Sequence, residues 1–166
     1  NTVTFENVEV PKENLLGQDG KGFLIAMKTL DAGRIGLGAG CLGASKELLE
    51  LSTVFAKQRK QFGSAISKFQ AVQFMLAEIS SKIYPMESIV YRTANNYDLK
   101  KDISNEAAIV KLFCSEAMAE IADKAVQIHG GMGFSRELPI ERYYRDARIL
   151  KIFEGTNEIQ KMIIGR

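Results

Sequence analysis

The residues best suited to do chemistry lie in the run Tyr143–Gln160, YYRDARILKIFEGTNEIQ, which places the carboxylate of Glu154 near its centre. Ile152 and Phe153 precede this acid, and a Gly-Thr pair typical of a helix start follows it. A carboxylate among apolar neighbours can be poorly hydrated, and desolvation disfavours its charged form, which suits a general base. The alternative is a surface acid near a helix N-terminus, where the macrodipole favours negative charge. From spacing alone, this alternative is the commoner case.

A second group of polar residues lies in the segment LDAGRIGLGAG, residues 30–40, where Asp31 and Arg34 stand among closely spaced glycines. Arg34 could hold a polar ligand group through its rigid fork of donors. Each glycine inside a helix costs up to about 1 kcal/mol relative to alanine, so either another helix or a ligand is expected to pack closely there. The alternative for Asp31 and Arg34 is an ion pair at helical spacing, which we prefer from the residues alone.

Two further places could bind phosphate. Arg59, in QRKQFG, lies at a predicted helix end and could offer paired donors to a phosphate group. Thr156, at a predicted helix start, adds a hydroxyl to free backbone N–H groups, which together form a natural anion site. The alternatives are a solvated basic cluster around Arg59 and, for Gly130 and Gly131, an ordinary glycine cap at a helix end.

Hydrophobic periodicity predicts the elements that position these residues. Three long amphipathic helices are predicted, at about residues 21–55, 69–99 and 106–129. Shorter helices are predicted over residues 139–148 and from about residue 156. Residues 2–10 alternate apolar and polar side chains, which predicts a strand that ends at Pro11. The pattern indicates an all-α, up-down helical bundle over residues 19–166, preceded by a strand and linker over residues 1–18.

Composition excludes several classes of protein. The chain has 166 residues, enough for one domain with a real core, and its net charge of +2 gives no electrostatic reason to expect nucleic acid or a membrane as partner. Cys41 and Cys114 stand alone and His129 is the only histidine, so we expect neither a metal site nor a disulfide framework. The cysteines are expected to be buried apolar residues of a reducing compartment, and no apolar run has the length of a membrane span.

Four segments, in one order, resemble the C-terminal part of the acyl-CoA dehydrogenase family. They are GRIGLGAGCLGASKELLELSTVFAKQRKQFG, FQAVQFMLAEI, AVQIHGGMGF and the run that contains Glu154. The wording is most similar to that of short-chain, short-branched and butyryl-CoA members. The resemblance implies a four-helix-bundle domain that forms the core of a homotetramer, with residues 1–18 as the last strand of a middle β-domain and its linker.

The resemblance also implies an activity: FAD-dependent α,β-dehydrogenation of an acyl-CoA, expected to be short-chain, to a trans-2-enoyl-CoA. Glu154 falls where most members keep the base that removes the α proton, and electrons would pass to electron-transferring flavoprotein. Some relatives place the base just before the arginine of the first long helix. Here that position is Gly33, which cannot act as a base, so the assignment to Glu154 is strengthened.

Binding residues follow from the resemblance by position. Residues expected to contact FAD are Arg59, at its pyrophosphate, Gln70, Gln127, Ile128, His129, Gly130, Gly131, Thr156, Asn157 and Glu158. Residues expected to contact the substrate are Asp31, Ala32, Gly33, Arg34 and Gly155. In the family, the segment from Gln127 to Gly131 holds the adenine end of FAD from a neighbouring subunit.

The resemblance also bears on the completeness of the chain, and two alternative functions stay open. We expect the chain to be a C-terminal fragment, inactive by itself, of an enzyme in a bacterial cytoplasm or mitochondrial matrix and not secreted. One alternative is a family member that runs as an enoyl-CoA reductase. Another is a non-enzymatic helical oligomerisation module, against which the joint presence of Glu154, Arg59, Gln127 and Thr156 argues.

Overall fold

The computed structural model describes residues 2–166, and its regular secondary structure is almost entirely helical. The helices are α1 (Gly22–Gln58), α2 (Gln70–Asp98), α3 (Ser104–His129), α4 (Gly131–Phe134), α5 (Ile140–Ile149) and α6 (Asn157–Ile164). The predicted all-α class is confirmed, and the three long helices begin and end within three residues of the predicted bounds. A short antiparallel hairpin between α1 and α2, formed by β1 (Lys60–Gln61) and β2 (Ser64–Ala65), was not predicted.

The three long helices pack against one another, and α3 also carries α5 and α6 on its other side. Their apolar stripes meet in one core, whose fully buried side chains include Leu48, Ile79, Met86, Met118 and Ile121. The predicted burial of both cysteines is confirmed, and burial raises the pKa of each thiol to about 12. Because α3 contacts every other long helix, it is the fixed element against which the C-terminal segments are placed.

The glycines of α1 do not all serve the same purpose. A Cβ at Gly38 would lie 2.3 Å from Cγ1 of Val110 in α3, so this glycine permits the close approach of two helices. A Cβ at Gly36, Gly40 or Gly43 would meet no atom within 4 Å. Helix packing therefore explains Gly38, whereas Gly33 has a different neighbour, described below.

The predicted strand over residues 2–10 does not form in this structure. These residues have no regular secondary structure and their side chains are exposed, including Phe5 and Val10. A strand needs a hydrogen-bonded neighbour, and residues 2–166 provide none for this segment. The alternating pattern of these residues is therefore not sufficient to form a strand. No helix among the described residues has both the length and the apolar character needed to cross a membrane.

Candidate active site

The loop between α5 and α6 presents Glu154 in an unusual backbone conformation. Glu154 has φ 59° and Gly155 has φ 87°, both in the left-handed region, where a non-glycine residue costs on the order of 1–3 kcal/mol. Side chains from outside the loop hold its carbonyl groups. Gln160 Nε2 donates to the Glu154 carbonyl at 3.1 Å and to the Gly155 carbonyl at 2.9 Å, and Arg34 Nε donates to the Glu154 carbonyl at 3.4 Å. Gln160, which sequence analysis did not single out, is thus a support for this strained turn.

The carboxylate of Glu154 packs directly on the backbone of α1 at Gly33. A Cβ at Gly33 would lie 2.7 Å from Oε2 and 3.0 Å from Oε1 of Glu154, which is too close for any side chain without movement of the acid. Oε2 is buried and has no hydrogen-bond partner among the described residues. Buried polar atoms are nearly always paired, so an unpaired carboxylate oxygen is a free acceptor for a ligand proton.

Glu154 and Gly33 open on an apolar cavity of about 440 Å³. Its wall is formed by α1, α3, α5 and the loop, and its lining residues include Leu37, Cys41, Met118, Leu150 and Phe153. Ligand pockets of proteins usually measure about 300–1,000 Å³ and are mostly apolar with a few placed polar groups. The combination of an unpaired carboxylate and an apolar cavity can therefore hold an aliphatic group beside a base.

Arg34 and Asp31 form the ion pair expected from their helical spacing, with 2.8 Å between Arg34 Nη1 and Asp31 Oδ1. The second oxygen of Asp31 accepts from Ser104 Oγ at 2.6 Å, so both carboxylate oxygens are used inside the domain. Ala32, beside them, is half-buried. In this structure, Asp31 therefore orients Arg34, whose guanidinium reaches the loop of Glu154.

A cluster of lysines surrounds the outer side of Asp31. A cavity of about 620 Å³ is lined by Asp31 together with Lys28, Lys100 and Lys101. Lysines from two separate parts of the chain line this cavity, and Asp102 adds a second carboxylate, so its charged lining has an excess of one positive charge. Sequence analysis missed this cluster because Lys28 lies about seventy residues from the other two and no local motif joins them.

Most of the residues expected at the adenine and pyrophosphate end of FAD come together at another place. Arg59, Ile128, His129, Gly130 and Gly131 line one cavity of about 420 Å³. Sequence analysis did not predict the other lining residues, which are Phe55, Gln61, Ile66 and Met132. Gln70 and Gln127 are exposed and do not line this cavity.

His129 is a packed, neutral side chain at the wall of that cavity. It is buried, its ring lies 4.4 Å from the ring of Phe55, and Nδ1 is 2.7 Å from the carbonyl oxygen of Ala125. Burial lowers the pKa of His129, and the hydrogen bond to Ala125 only partly offsets this effect. With Nδ1 engaged to a carbonyl, the ring presents Nε2 as its remaining polar atom.

The predicted helix start at Thr156 is confirmed, but its three residues point in different directions. Thr156 Oγ1 accepts from the backbone N–H of Ile159 at 3.4 Å and caps α6. Glu158 is exposed, and hydrogen bonds from its own backbone N–H and from Thr156 hold the pKa of its carboxyl below the usual range. Asn157 is buried, and its side chain turns inward to α3. The side chain of Asn157 is therefore engaged with α3, and its contact with the cofactor stays a prediction.

A family model described as "Acyl-CoA dehydrogenase, C-terminal domain" matches residues 20–166. The chain belongs to the acyl-CoA dehydrogenase family.

Individual acyl-CoA dehydrogenase relatives match almost the whole chain. It is 46% identical over 163 residues to "Caffeyl-CoA reductase-Etf complex subunit CarC" of Acetobacterium woodii, covering 98% of this chain and 43% of the relative. It is 46% identical over 161 residues to the mitochondrial short-chain specific acyl-CoA dehydrogenase of Mus musculus, covering 97% and 39%. The structure of butyryl-CoA dehydrogenase from Megasphaera elsdenii gives a TM-score of 0.95 at 45% identity, covering 97% and 42%. The chain thus spans about two-fifths of the length of these relatives.

The lining of the cavity at Arg59 is chemically compatible with the adenine and pyrophosphate end of the flavin dinucleotide that acyl-CoA dehydrogenases use. A guanidinium is available for phosphate, and the ring of Phe55 with the side chain of Met132 gives an apolar surface for an aromatic base. A Cβ at Gly130 or Gly131 would meet no atom within 4 Å, so the backbone there is open to a ligand. This cavity and the one at Glu154 share no lining residue.

Proposed function

We propose that this chain is the C-terminal domain of a longer FAD-dependent acyl-CoA dehydrogenase that converts a short-chain acyl-CoA to a trans-2-enoyl-CoA, with Glu154 as the base. The observation that carries this proposal is the buried, unpaired Oε2 of Glu154 at the mouth of an apolar cavity. Oε2 has no hydrogen-bond donor among the described residues, so it is free to accept a proton from a substrate carbon placed in the cavity.

The chain's own residues would act on the substrate by position and by exclusion of water. Leu37, Leu150 and Phe153 would enclose the acyl chain and place its α carbon against Glu154, while Gly33 leaves room for the carboxylate. Bound FAD supplies the acceptor for the hydride that leaves the β carbon. Arg34 and Gly155 would shape the loop beside the thioester of the substrate and would take no part in proton or hydride transfer.

We assign the lysine cluster Lys28, Lys100 and Lys101 to the phosphate groups of coenzyme A. Their cavity borders Asp31, which begins the segment expected to meet the thioester tail. Phosphate oxygens attract ammonium groups, and the three lysines outnumber the two aspartates, Asp31 and Asp102, that line the same cavity. Asp31 would then contribute by holding Arg34 and not by contacting the substrate.

We propose a homo-oligomer, a tetramer or dimer of dimers, in which each flavin is held by two copies. The supporting observation is that Arg59 and the Ile128–Gly131 segment lie at a cavity distinct from that of Glu154. Phe62 and Phe134, close in sequence to the rim of the Arg59 cavity, are 93% and 81% exposed in the single chain. Large exposed aromatic side chains are typical of surfaces that bind another protein.

We further propose that electron-transferring flavoprotein exchanges electrons with this enzyme, because one relative is a subunit of a reductase–Etf complex. The compartment, bacterial cytoplasm or mitochondrial matrix, stays a prediction.

The test is anaerobic titration of the whole protein with butyryl-CoA while the long-wavelength absorption of its flavin is followed. Bleaching of one flavin per chain supports the proposal. A protein that purifies without flavin, or whose flavin does not respond to any acyl-CoA or, after reduction, to any enoyl-CoA, would contradict it. Bleached flavin that enoyl-CoA reoxidises, with no turnover of butyryl-CoA, would indicate the reductase direction instead.

A further inference from the structure

Both ends of the loop that carries Glu154 are fixed to one side chain, Glu116 of α3. Glu116 Oε2 accepts from Nζ of Lys151, three residues before the base. Glu116 Oε1 accepts from Nδ2 of Asn157, three residues after the base, at 2.8 Å. The backbone N–H of Asn157 also donates to the carbonyl oxygen of Lys151 at 3.0 Å, which closes the loop on itself. The base therefore stands at the middle of a loop whose two ends meet at one carboxylate.

Buried residues of α3 complete the attachment of Asn157. Its Oδ1 accepts from Nζ of Lys111 at 2.6 Å and from Oγ of Ser115 at 3.2 Å. Lys111 is fully buried, and this burial lowers the pKa of its ammonium group. The nearby carboxylate of Glu116 acts in the opposite direction. A buried ammonium group is costly unless it is hydrogen-bonded, so this contact fixes the amide of Asn157 in one orientation. Asn157 then presents Nδ2 to Glu116.

The charge of Glu116 is itself stabilised by this arrangement. Burial acts to raise the pKa of Glu116, but the hydrogen bonds from Lys151 and Asn157 outweigh it and hold the pKa below its usual range. Glu116 therefore stays ionised at neutral pH, and both of its contacts are charge-assisted.

We propose that Glu116 is a positioning residue for Glu154: it fixes both ends of the loop and so holds the base opposite Gly33. This inference rests on the proposed function, because it assigns Glu116 a role in the same reaction. The backbone of Glu154 is left-handed, a conformation that persists only where surrounding contacts enforce it. Release of the two loop ends would let the turn relax and move the carboxylate away from the substrate.

The role of Asn157 changes accordingly. The resemblance placed it among the cofactor contacts, but its side chain is engaged by Lys111, Ser115 and Glu116. Asn157 joins the loop to α3 and does not need to touch the flavin. Thr156 and Glu158 remain at the outer surface of the helix start for that purpose.

The experiment compares Glu116→Ala with Glu87→Ala in the whole flavin-loaded protein. Glu87 pairs with Lys46 at 2.5 Å and its side chain is 42% exposed, close to the 41% of Glu116, but it lies far from the loop in sequence and contacts none of its residues. We expect Glu116→Ala to slow flavin reduction at saturating butyryl-CoA by about 10–100-fold, because a base displaced by about 1 Å can lose about 100-fold. Flavin content and half-saturating butyryl-CoA should stay unchanged, and Glu87→Ala should remain within twofold of wild type.

Hydrogen exchange of the same proteins, without substrate, shows whether the effect passes through the loop. The segment 150–160 should exchange at least tenfold faster in Glu116→Ala than in Glu87→Ala, while exchange in α3 is unchanged. Lys151→Met should give a smaller change in the same direction, and it serves if Glu116→Ala does not fold. The double variant Glu116→Ala/Lys151→Met should be no slower than Glu116→Ala, because Glu116→Ala already removes the contact between Glu116 and Lys151.

Equal reduction rates for the Glu116 and Glu87 variants would overturn the proposal, and so would slow reduction without faster exchange in the loop. Failure of the proposed function has a different signature, since wild-type flavin would then not respond to acyl-CoA. In that case the exchange comparison still decides whether Glu116 holds the loop.

Discussion

Replacement of Gly33 by alanine should make the domain more stable and the enzyme slower. The added Cβ would lie 2.7 Å from Glu154 Oε2, whereas ordinary contacts begin at 3.4 Å, so the carboxylate must retreat by about 0.7 Å. The carboxylate is the far end of a flexible side chain, so its retreat costs little stability. Alanine favours a helix interior by up to about 1 kcal/mol over glycine. A displacement of that size at a base, by contrast, should cost about tenfold or more in rate.

Gly36→Ala is the matched control, because it lies one turn further along α1 and its Cβ would meet no atom within 4 Å. It should bring the same helix stabilisation without a change in rate. The assays are thermal unfolding and anaerobic stopped-flow reduction of the flavin by butyryl-CoA. If Gly33→Ala reduces its flavin as fast as Gly36→Ala, the carboxylate of Glu154 does not occupy its catalytic position in this structure.

Two further predictions concern the flavin cavity and the lysine cluster. Burial lowers the pKa of His129 in the folded protein, so the free energy of unfolding should fall as pH drops through about 6.5, the pKa of an unfolded histidine. Measured by denaturant unfolding at pH 7.5 and 5.5, His129→Leu should lose less of this free energy than wild type. An equal loss in both proteins would contradict the assignment. Lys100→Glu with Lys101→Glu should raise the half-saturating concentration of butyryl-CoA about tenfold, equivalent to about 1.4 kcal/mol, and leave kcat unchanged. The same pair should have no effect on butyryl-pantetheine, which lacks the phosphates, and a similar loss with both substrates would show that the lysines act elsewhere.

Local patterns predicted the helices well, because their period and end signals are carried by neighbouring residues. The bounds of α1, α2 and α3 follow from apolar spacing, and the start of α6 at Asn157 follows from the Gly-Thr signal. Residues 2–10 form no strand, although their side chains alternate between apolar and polar. Their alternation is a local property, but a strand exists only with a hydrogen-bonded neighbour.

Sequence could predict only those residues of the candidate site that lie within a recognisable local segment. The assignment of Glu154 as the base, and of Gly33 as a position that cannot supply one, came from the family resemblance, because by residue type alone a surface acid was the commoner case. The attachment of the loop to Glu116 was not visible in the sequence, because Lys151 and Asn157 lie 35 and 41 residues from it. Contacts of that kind depend on how α3 passes beneath the loop, which packing decides and no short motif encodes. The inward direction of the Asn157 side chain was likewise not visible in the sequence, because its partners lie in α3.

The most direct test of the central claim replaces Glu154 by glutamine in the whole protein. Glutamine keeps the shape of the side chain and removes its ability to take a proton. On anaerobic addition of butyryl-CoA, wild type should bleach its flavin, whereas Glu154→Gln should retain bound flavin and bleach at least about a hundredfold more slowly, since general-base catalysis contributes about 10²–10⁴-fold. Bleaching of Glu154→Gln at the wild-type rate would show that the base lies elsewhere.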